Sequence, residues 1–406
     1  MEDFHKAAED LTPPQTAAVC CRGGDQAQLQ SSHHHHQNQM TMSDPALNST
    51  LLGANCTNLY NHRAVARVLM PMVYSVVCLL GLLGNALALQ VIRSNWNKLN
   101  STTLYSANLA VSDLLFCLAL PLRIIYYGMG FNWLLGEALC KLTALLFYLN
   151  CYAGVNFMTC LAVDRFLAVV LQMRLSKLRK VQNVRYICLV VWLVVLAQTL
   201  PLLGMPMTHT EIDGRITCME YPNFESVQGL PYMLIGAVIL GYGFPLATIL
   251  ICYSVLSYKL QQAAKGNHLT ERSGSTHKAR GVIAGVVLVF VVCFSPYHLD
   301  LLQYMIRKLI YDPDCGELQA FQISLHITVC LMNFNTCLDP FVYFFACKGY
   351  KRKVLKILKR QVSTSFTSVG RTSPESSGTH DNYLHHQRTK SRHHKDVALS
   401  PVENGS

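Results

Sequence analysis

Residues 140–171 read CKLTALLFYLNCYAGVNFMTCLAVDRFLAVVL, and this run decides the fold. It is one long, mostly apolar helix. At 1.5 Å per residue it spans roughly 48 Å, more than the ~30 Å hydrocarbon core of a bilayer. A helix of that length must tilt or reach water at both ends. Cys140 marks one end and the charged pair Asp164-Arg165 the other, with Tyr148, Asn150, Tyr152 and Asn156 between them at helical spacing. Polar groups at lipid depth have to face protein or a water-filled cavity, because an unsatisfied one costs several kcal/mol. The helix is therefore central to a bundle.

The rest of the chain agrees. Its 406 residues are 51% hydrophobic and 14% charged, a balance expected of a polytopic membrane protein and unusual for a soluble domain. Apolar spans fall near 68–92, 103–127, 137–171, 185–206, 229–258, 281–307 and 318–346. The formal charge of +11 is explained by where it lies: loops 93–102, 172–185 and 259–280 hold twelve Lys or Arg. The alternate loops 128–139, 207–228 and 308–317 hold two, Arg215 and Lys308. Positive loops stay in the cytoplasm, so the amino terminus is outside, and the basic charge needs no nucleic acid. The expected fold is an all-α membrane protein. A seven-transmembrane helix bundle over 67–346 follows an extracellular tail over 1–66. A short amphipathic cytoplasmic helix over 347–361 and a regulatory tail over 362–406 complete the chain.

The first tail is polar, lacks the apolar core of a signal peptide and reads as disordered, so the first span serves as an uncleaved anchor. Its His33–His36 run reads as solvated low complexity rather than a metal site. Asn48 and Asn55 begin glycosylation sequons on the outer side, whereas the Asn100 sequon falls in an inner loop and is expected unmodified. Four cysteines, Cys56, Cys140, Cys218 and Cys315, face the oxidising side; four thiols allow three pairings, and spacing does not choose among them. Ile212-Asp-Gly-Arg215 reads as a hairpin turn.

Ionisable groups inside spans are functional hypotheses by default. Asp113 lies midway along the second span and Asp339 in the seventh. With Asn150 and Asn335 as partners they suggest a site for a sodium ion; the bland alternative is a network of protonated carboxyls. No further catalytic constellation accompanies the pair, so an enzyme is not expected. Arg165 follows Asp164 directly, and a pairing of the two would give a contact with two states. Arg123 lies at lipid depth with no acid three or four residues away, so its partner should come from another helix or from a ligand. Pro245, Pro296 and Pro340 each remove a helical hydrogen bond, which makes hinges of the last three spans.

Gly84-Asn85, Leu109-Ala-Val-Ser-Asp113, Asp164-Arg165-Phe166, Trp192, Pro245 with Tyr253, Cys293-Phe-Ser-Pro296 and Asp339-Pro-Phe-Val-Tyr343 occur in that order. This set resembles the rhodopsin-like G-protein-coupled receptors over about residues 60–362. Phe166 and Phe294 depart from it, standing where a Tyr and a Trp are usual. The resemblance implies disulfides Cys140–Cys218 and Cys56–Cys315, and an activation switch of Asp164, Arg165, Phe294, Pro296, Tyr253 and Tyr343. Within the family, stretches such as LRIIYYGMGF and FYLNCYAGVNFMTC are similar to the oxysterol-sensing chemotactic receptors of lymphocytes. That branch implies 7α,25-dihydroxycholesterol as ligand, inhibitory G proteins as partners and immune-cell migration as the outcome. It also implies a place in the plasma membrane and ligand contacts at Arg123, Tyr148, Tyr152 and Tyr297.

The residue types suit such a ligand. A sterol is a rigid apolar body with a few hydroxyls, and needs apolar walls with a few placed donors. Phe147 replaces the acid that amine receptors keep, and Asn333 replaces the lysine of opsins. A chemokine-like peptide receptor is the main rival, since Asp213, Glu220, Glu225, Asp312, Asp314 and Glu317 make the outer mouth acidic. A transporter would want inverted repeats or broken half-helices, and neither is visible. Lys348–Gln361 mixes Val and Leu with basic residues and should lie on anionic membrane lipid; Cys347 is poorly placed for palmitoylation. Ser363, Thr364, Ser365, Thr367 and Ser368 are candidates for receptor kinases and subsequent arrestin binding.

Overall fold

The computed structural model describes residues 56, 59–171, 175–266, 270–346, 351–357 and 359–360. Asn48, Asn55, the His33–His36 run, Cys347 and the Ser363–Ser368 cluster lie outside them.

Seven spans build the bundle. The first four are Arg63–Arg93, Ser101–Gly128, Gly136–Val169 and Val181–Thr199, the last continued by a 3₁₀ turn over Leu200–Gly204. The fifth runs as Leu230–Val238, a π-helical turn Ile239–Gly243, then Phe244–Gly266; the sixth is Thr270–Ile310. The seventh is split into Cys315–Asn333 and Asn335–Ala346. Among the described residues six helices are long and apolar enough to cross a membrane. The first part of the seventh span, Cys315–Asn333, is more polar than the apolar stretches of the other six, with Glu317, Gln319, Gln322 and His326 along it. The third span packs against the second, fourth, fifth and sixth, which places it at the centre as its polar residues require. Leu79 and Leu83 of the first span and Leu240 and Phe244 of the fifth are more than half exposed, as apolar groups facing lipid should be.

Several boundaries differ from expectation. The first span begins at Arg63, inside the segment expected to be tail. The stretch expected as an inner loop over 259–280 is largely helix, because the fifth span runs to Gly266 and the sixth starts at Thr270. Lys, Gln, Ala and Arg are good helix formers, so charge alone does not end a helix once it leaves lipid. Residues 351–357 are helical, within the expected amphipathic segment.

Local chemistry fixes the ends and the bends. Asn100 caps the second span, its side chain accepting from the Thr103 N–H at 2.9 Å. Asp314 caps the seventh through a capping box with Glu317. Pro340 has no N–H to offer the Thr336 carbonyl one turn back. That carbonyl accepts instead from the Asn85 side chain of the first span at 2.9 Å. The proline thus turns a helical hydrogen bond into a tie between spans.

A small hairpin covers the mouth. Strand β1 (Thr208–Thr210) pairs antiparallel with β2 (Ile216–Cys218), Thr208 opposite Cys218. The turn lies where the sequence placed it, with Glu211 N donating to Arg215 O at 2.7 Å and Gly214 at φ +82°. That backbone is left-handed, the conformation glycine adopts at least cost. Disulfides join Cys140 to Cys218 and Cys56 to Cys315. The first pins β2 to the top of the third span; the second holds the amino-terminal segment beside the start of the seventh.

Candidate functional site

Two cavities open below the hairpin and share Tyr148, Met219, Tyr221, Tyr297 and Leu325 as a common wall. The larger, about 1180 Å³, lies among the third to sixth spans and is mainly apolar, with Leu202, Met205, Leu234 and Leu301 in its lining. Tyr152 lines it too. Tyr152 fits because Gly241 in the π turn has no side chain; an added Cβ there would stand 2.9 Å from the Tyr152 ring. The smaller, about 670 Å³, lies toward the first, second and seventh spans and carries Arg123, Tyr127, Glu220, Gln322 and His326. The structure therefore gathers Arg123, Tyr148, Tyr152 and Tyr297 around one compound chamber, polar at one end and apolar at the other.

Arg123 is already partnered. It donates to the Tyr127 hydroxyl at 2.7 Å and to the Cys218 carbonyl at 3.0 Å, and its guanidinium lies 4.9 Å from the Tyr126 and Tyr127 ring centres. The expectation of a partner from another helix or a ligand needs correcting. A neutral hydroxyl one turn along its own helix and a carbonyl of β2 both serve. Three of the five guanidinium donors remain for other groups. Because Cys218 is bonded to Cys140, the cation, the strand and the third span form one unit.

Glu220 shares that end of the chamber. It is 3% exposed, accepts from the Tyr126 hydroxyl at 2.9 Å and the Gln322 amide at 3.4 Å, and stands 3.1 Å from His326 Nε2. Burial pushes its carboxyl up to about 7, while the Arg123 charge and these hydrogen bonds pull the other way. Nearby His62 is held below its ordinary value by burial. Sequence reasoning counted Glu220 only as mouth acidity and passed over His326. An ionisable residue in a span, His326 carried the same signal as Asp113.

Deeper in the bundle, Asp113 accepts from Asn150 at 2.8 Å and from the Thr336 hydroxyl at 3.1 Å, while Asn335 donates to Asp339 at 3.0 Å. The two carboxyls are near enough to feel each other's charge. Asn335 thus joins the set through Asp339. Asp113 Oδ2, Asp339 Oδ1, Asn335 Oδ1 and Asn85 Oδ1 are buried oxygens with no hydrogen-bond partner among the described residues. Hard oxygen acceptors left without donors are the donor set a small hard cation takes.

The Asp164–Arg165 pairing is not formed. Neighbouring residues on a helix point about 100° apart and do not face each other. Asp164 instead accepts from Arg179 Nε at 2.9 Å and from the Thr102 hydroxyl at 2.8 Å. Arg165 donates to that same Thr102 hydroxyl. Arg179 lies in the loop after the third span, where its charge read only as topology. Arg165, Thr102 and Tyr253 line a third cavity, at the end of the bundle away from the disulfides. Phe294 and Tyr343 are buried. Phe294 reaches the third span, its ring 3.0 Å from where a Cβ on Gly154 would stand. Tyr242 of the π turn bonds to Ser295 beside Pro296 and stacks on His298 at 4.4 Å, a link between the fifth and sixth spans invisible in the sequence.

A seven-span bundle with a disulfide-tethered hairpin over a central chamber, and an arginine-lined cavity at the far end, defines a heptahelical receptor. The family described as 7 transmembrane receptor (rhodopsin family) matches residues 84–343, and the chain belongs to it. Members are receptors that act on G proteins, not enzymes. The chain is 72% identical over 329 residues to G-protein coupled receptor 183-B of Danio rerio, covering 81% of this chain and 89% of that one. It is 55% identical over 339 residues to G-protein coupled receptor 183 of Homo sapiens, covering 83% and 93%. Lysophosphatidic acid receptor 6 of Gallus gallus is 34% identical over 275 residues, covering 67% and 88%.

Proposed function

We propose that this protein is a plasma-membrane receptor for oxysterols, 7α,25-dihydroxycholesterol being the expected agonist. Its amino terminus is outside the cell, and it signals through inhibitory G proteins to direct immune-cell migration. Receptor kinases and arrestin act on its inner tail. The observation that carries this reading is the compound chamber. An apolar cavity lined by Tyr152, Leu234 and Leu301 adjoins a smaller one that holds a cation, Arg123, and both are lined by Tyr148 and Tyr297. A flat apolar body with hydroxyls at its ends matches that distribution. The relative named for lysophosphatidic acid supports a lipid over a peptide as the ligand class. The test is a cyclic AMP assay in cells expressing the full chain, run against an oxysterol panel with and without pertussis toxin. Toxin-sensitive suppression of cyclic AMP by a dihydroxylated cholesterol is expected. Indifference to every sterol, with a response to a basic peptide, would replace this reading with the peptide one.

The buried oxygens around Asp113, Asp339, Asn335 and Asn85 fit a sodium ion that stabilises the inactive bundle. Sodium in place of potassium should then weaken agonist binding, because an ion that prefers one state shifts the population toward it. Asp113→Asn should make agonist affinity the same in the two salts. A sodium effect that persists in that variant would mean that the carboxyls only share a proton.

A further inference from the structure

The polar end of the chamber holds two opposite charges, Arg123 and Glu220, and both line the same cavity. Glu220 is buried, being 3% exposed, and its contacts come from several elements. The second span supplies Arg123 and Tyr126, and the seventh supplies Gln322 and His326. Glu211 from the hairpin and Tyr60 from the amino-terminal segment act on it at longer range, and the His62 ring lies tilted, 5.4 Å from that of His326.

A ligand hydroxyl can accept from Arg123 and donate to an ionised Glu220 at once. A ligand carboxylate can only accept, and beside an ionised Glu220 it meets a like charge in a water-poor space. A neutral Glu220 has an O–H to donate and no charge to repel. We propose that Glu220 sets the charge class of the ligand. Ionised, it reserves the Arg123 end of the chamber for neutral hydroxylated sterols; on taking up a proton, it admits sterols that end in a carboxylate. This inference rests on the oxysterol reading above. Burial holds the Glu220 carboxyl at about 7, so the exchange falls within the range cells and tissues reach. Between about pH 7 and about pH 8.5 the histidines lie above their ordinary titration range, and the tyrosines and Arg123 below theirs. Glu220 is the facing group that changes charge in that window.

The experiment is competition binding on membranes carrying the full chain. Labelled 7α,25-dihydroxycholesterol is the tracer, and 3β-hydroxy-5-cholestenoic acid and unlabelled tracer are the competitors. If the acid binds only when Glu220 is protonated, its affinity should fall about tenfold from about pH 7 to about pH 8.5. The unlabelled hydroxysterol should change less than about threefold over the same range. In Glu220→Gln the acid's affinity should no longer depend on pH in this window. Equal affinity of the wild type for the acid at both pH values overturns the proposal. So does a fall of the same size in Glu220→Gln. Should that variant fail to reach the membrane, the wild-type comparison of acid with hydroxysterol decides by itself. A wild type that binds no tracer at either pH would overturn the oxysterol reading and this inference with it.

Discussion

Arg165→Ala is expected to abolish nucleotide exchange on the G protein while agonist binding stays measurable. Arg165 is held by the Thr102 hydroxyl at the edge of the cavity it lines with Tyr253 and Ile283. Nothing in the agonist chamber touches it. Losing a guanidinium whose partner among the described residues is a neutral hydroxyl strips little from the resting bundle, so folding should survive. The loss should fall on signalling, where the side chain must leave Thr102 and meet the G protein. Arg179→Ala is the matching control. It removes the cation that pairs with Asp164 and leaves Arg165 in place. Exchange should remain detectable there. Full exchange by Arg165→Ala in reconstituted membranes would sink the assignment.

The second large effect is expected at Arg123. A sterol hydroxyl bonded to a cation contributes about 1.5–3 kcal/mol, roughly ten- to a hundred-fold in affinity. Arg123→Ala should weaken 7α,25-dihydroxycholesterol by about that factor. It should matter little for an analogue lacking the hydroxyl that Arg123 meets. The structure adds a complication, because Arg123 also holds the Cys218 carbonyl at 3.0 Å and the Tyr127 hydroxyl at 2.7 Å. Tyr127→Phe separates the two roles, since it removes a protein partner and keeps the charge. It should lose well under tenfold, in line with one neutral hydrogen bond of about 1 kcal/mol. If Arg123→Ala weakens every sterol alike, its work is to hold the hairpin, and the ligand contact lies elsewhere.

Much of this was legible beforehand. The third span was placed to within a few residues, expected over 137–171 and found over Gly136–Val169, because apolar runs with interrupting amides report burial directly. The hairpin turn was legible for a similar reason, since Asp-Gly between Thr and Ile residues constrains backbone locally. Arg123, Asp113 and Asp339 stood out because a charge at lipid depth is expensive whatever surrounds it. The partner of each charge was not legible. Asp164 looked committed to its neighbour Arg165, yet pairs with Arg179, fifteen residues along the chain. Glu220 looked like surface acidity, yet lies buried against Tyr126, Gln322 and His326.

By itself, the sequence determined that the chain spans the membrane seven times, which of its loops carry the positive charge, which residues are too polar to face lipid and where helices lose hydrogen bonds to proline. These are properties of one residue or one helix set against its solvent, and the free energy of transfer into lipid decides them without reference to the rest of the fold. Only the tertiary structure decided that the Thr336 carbonyl freed by Pro340 goes to Asn85, that a π turn and Gly241 make room for Tyr152, and that Glu220 shares a chamber with Arg123. Those outcomes depend on how helices rotate and shift against one another. Packing sets that rotation through many small contacts between residues far apart in the chain, so no local pattern carries it.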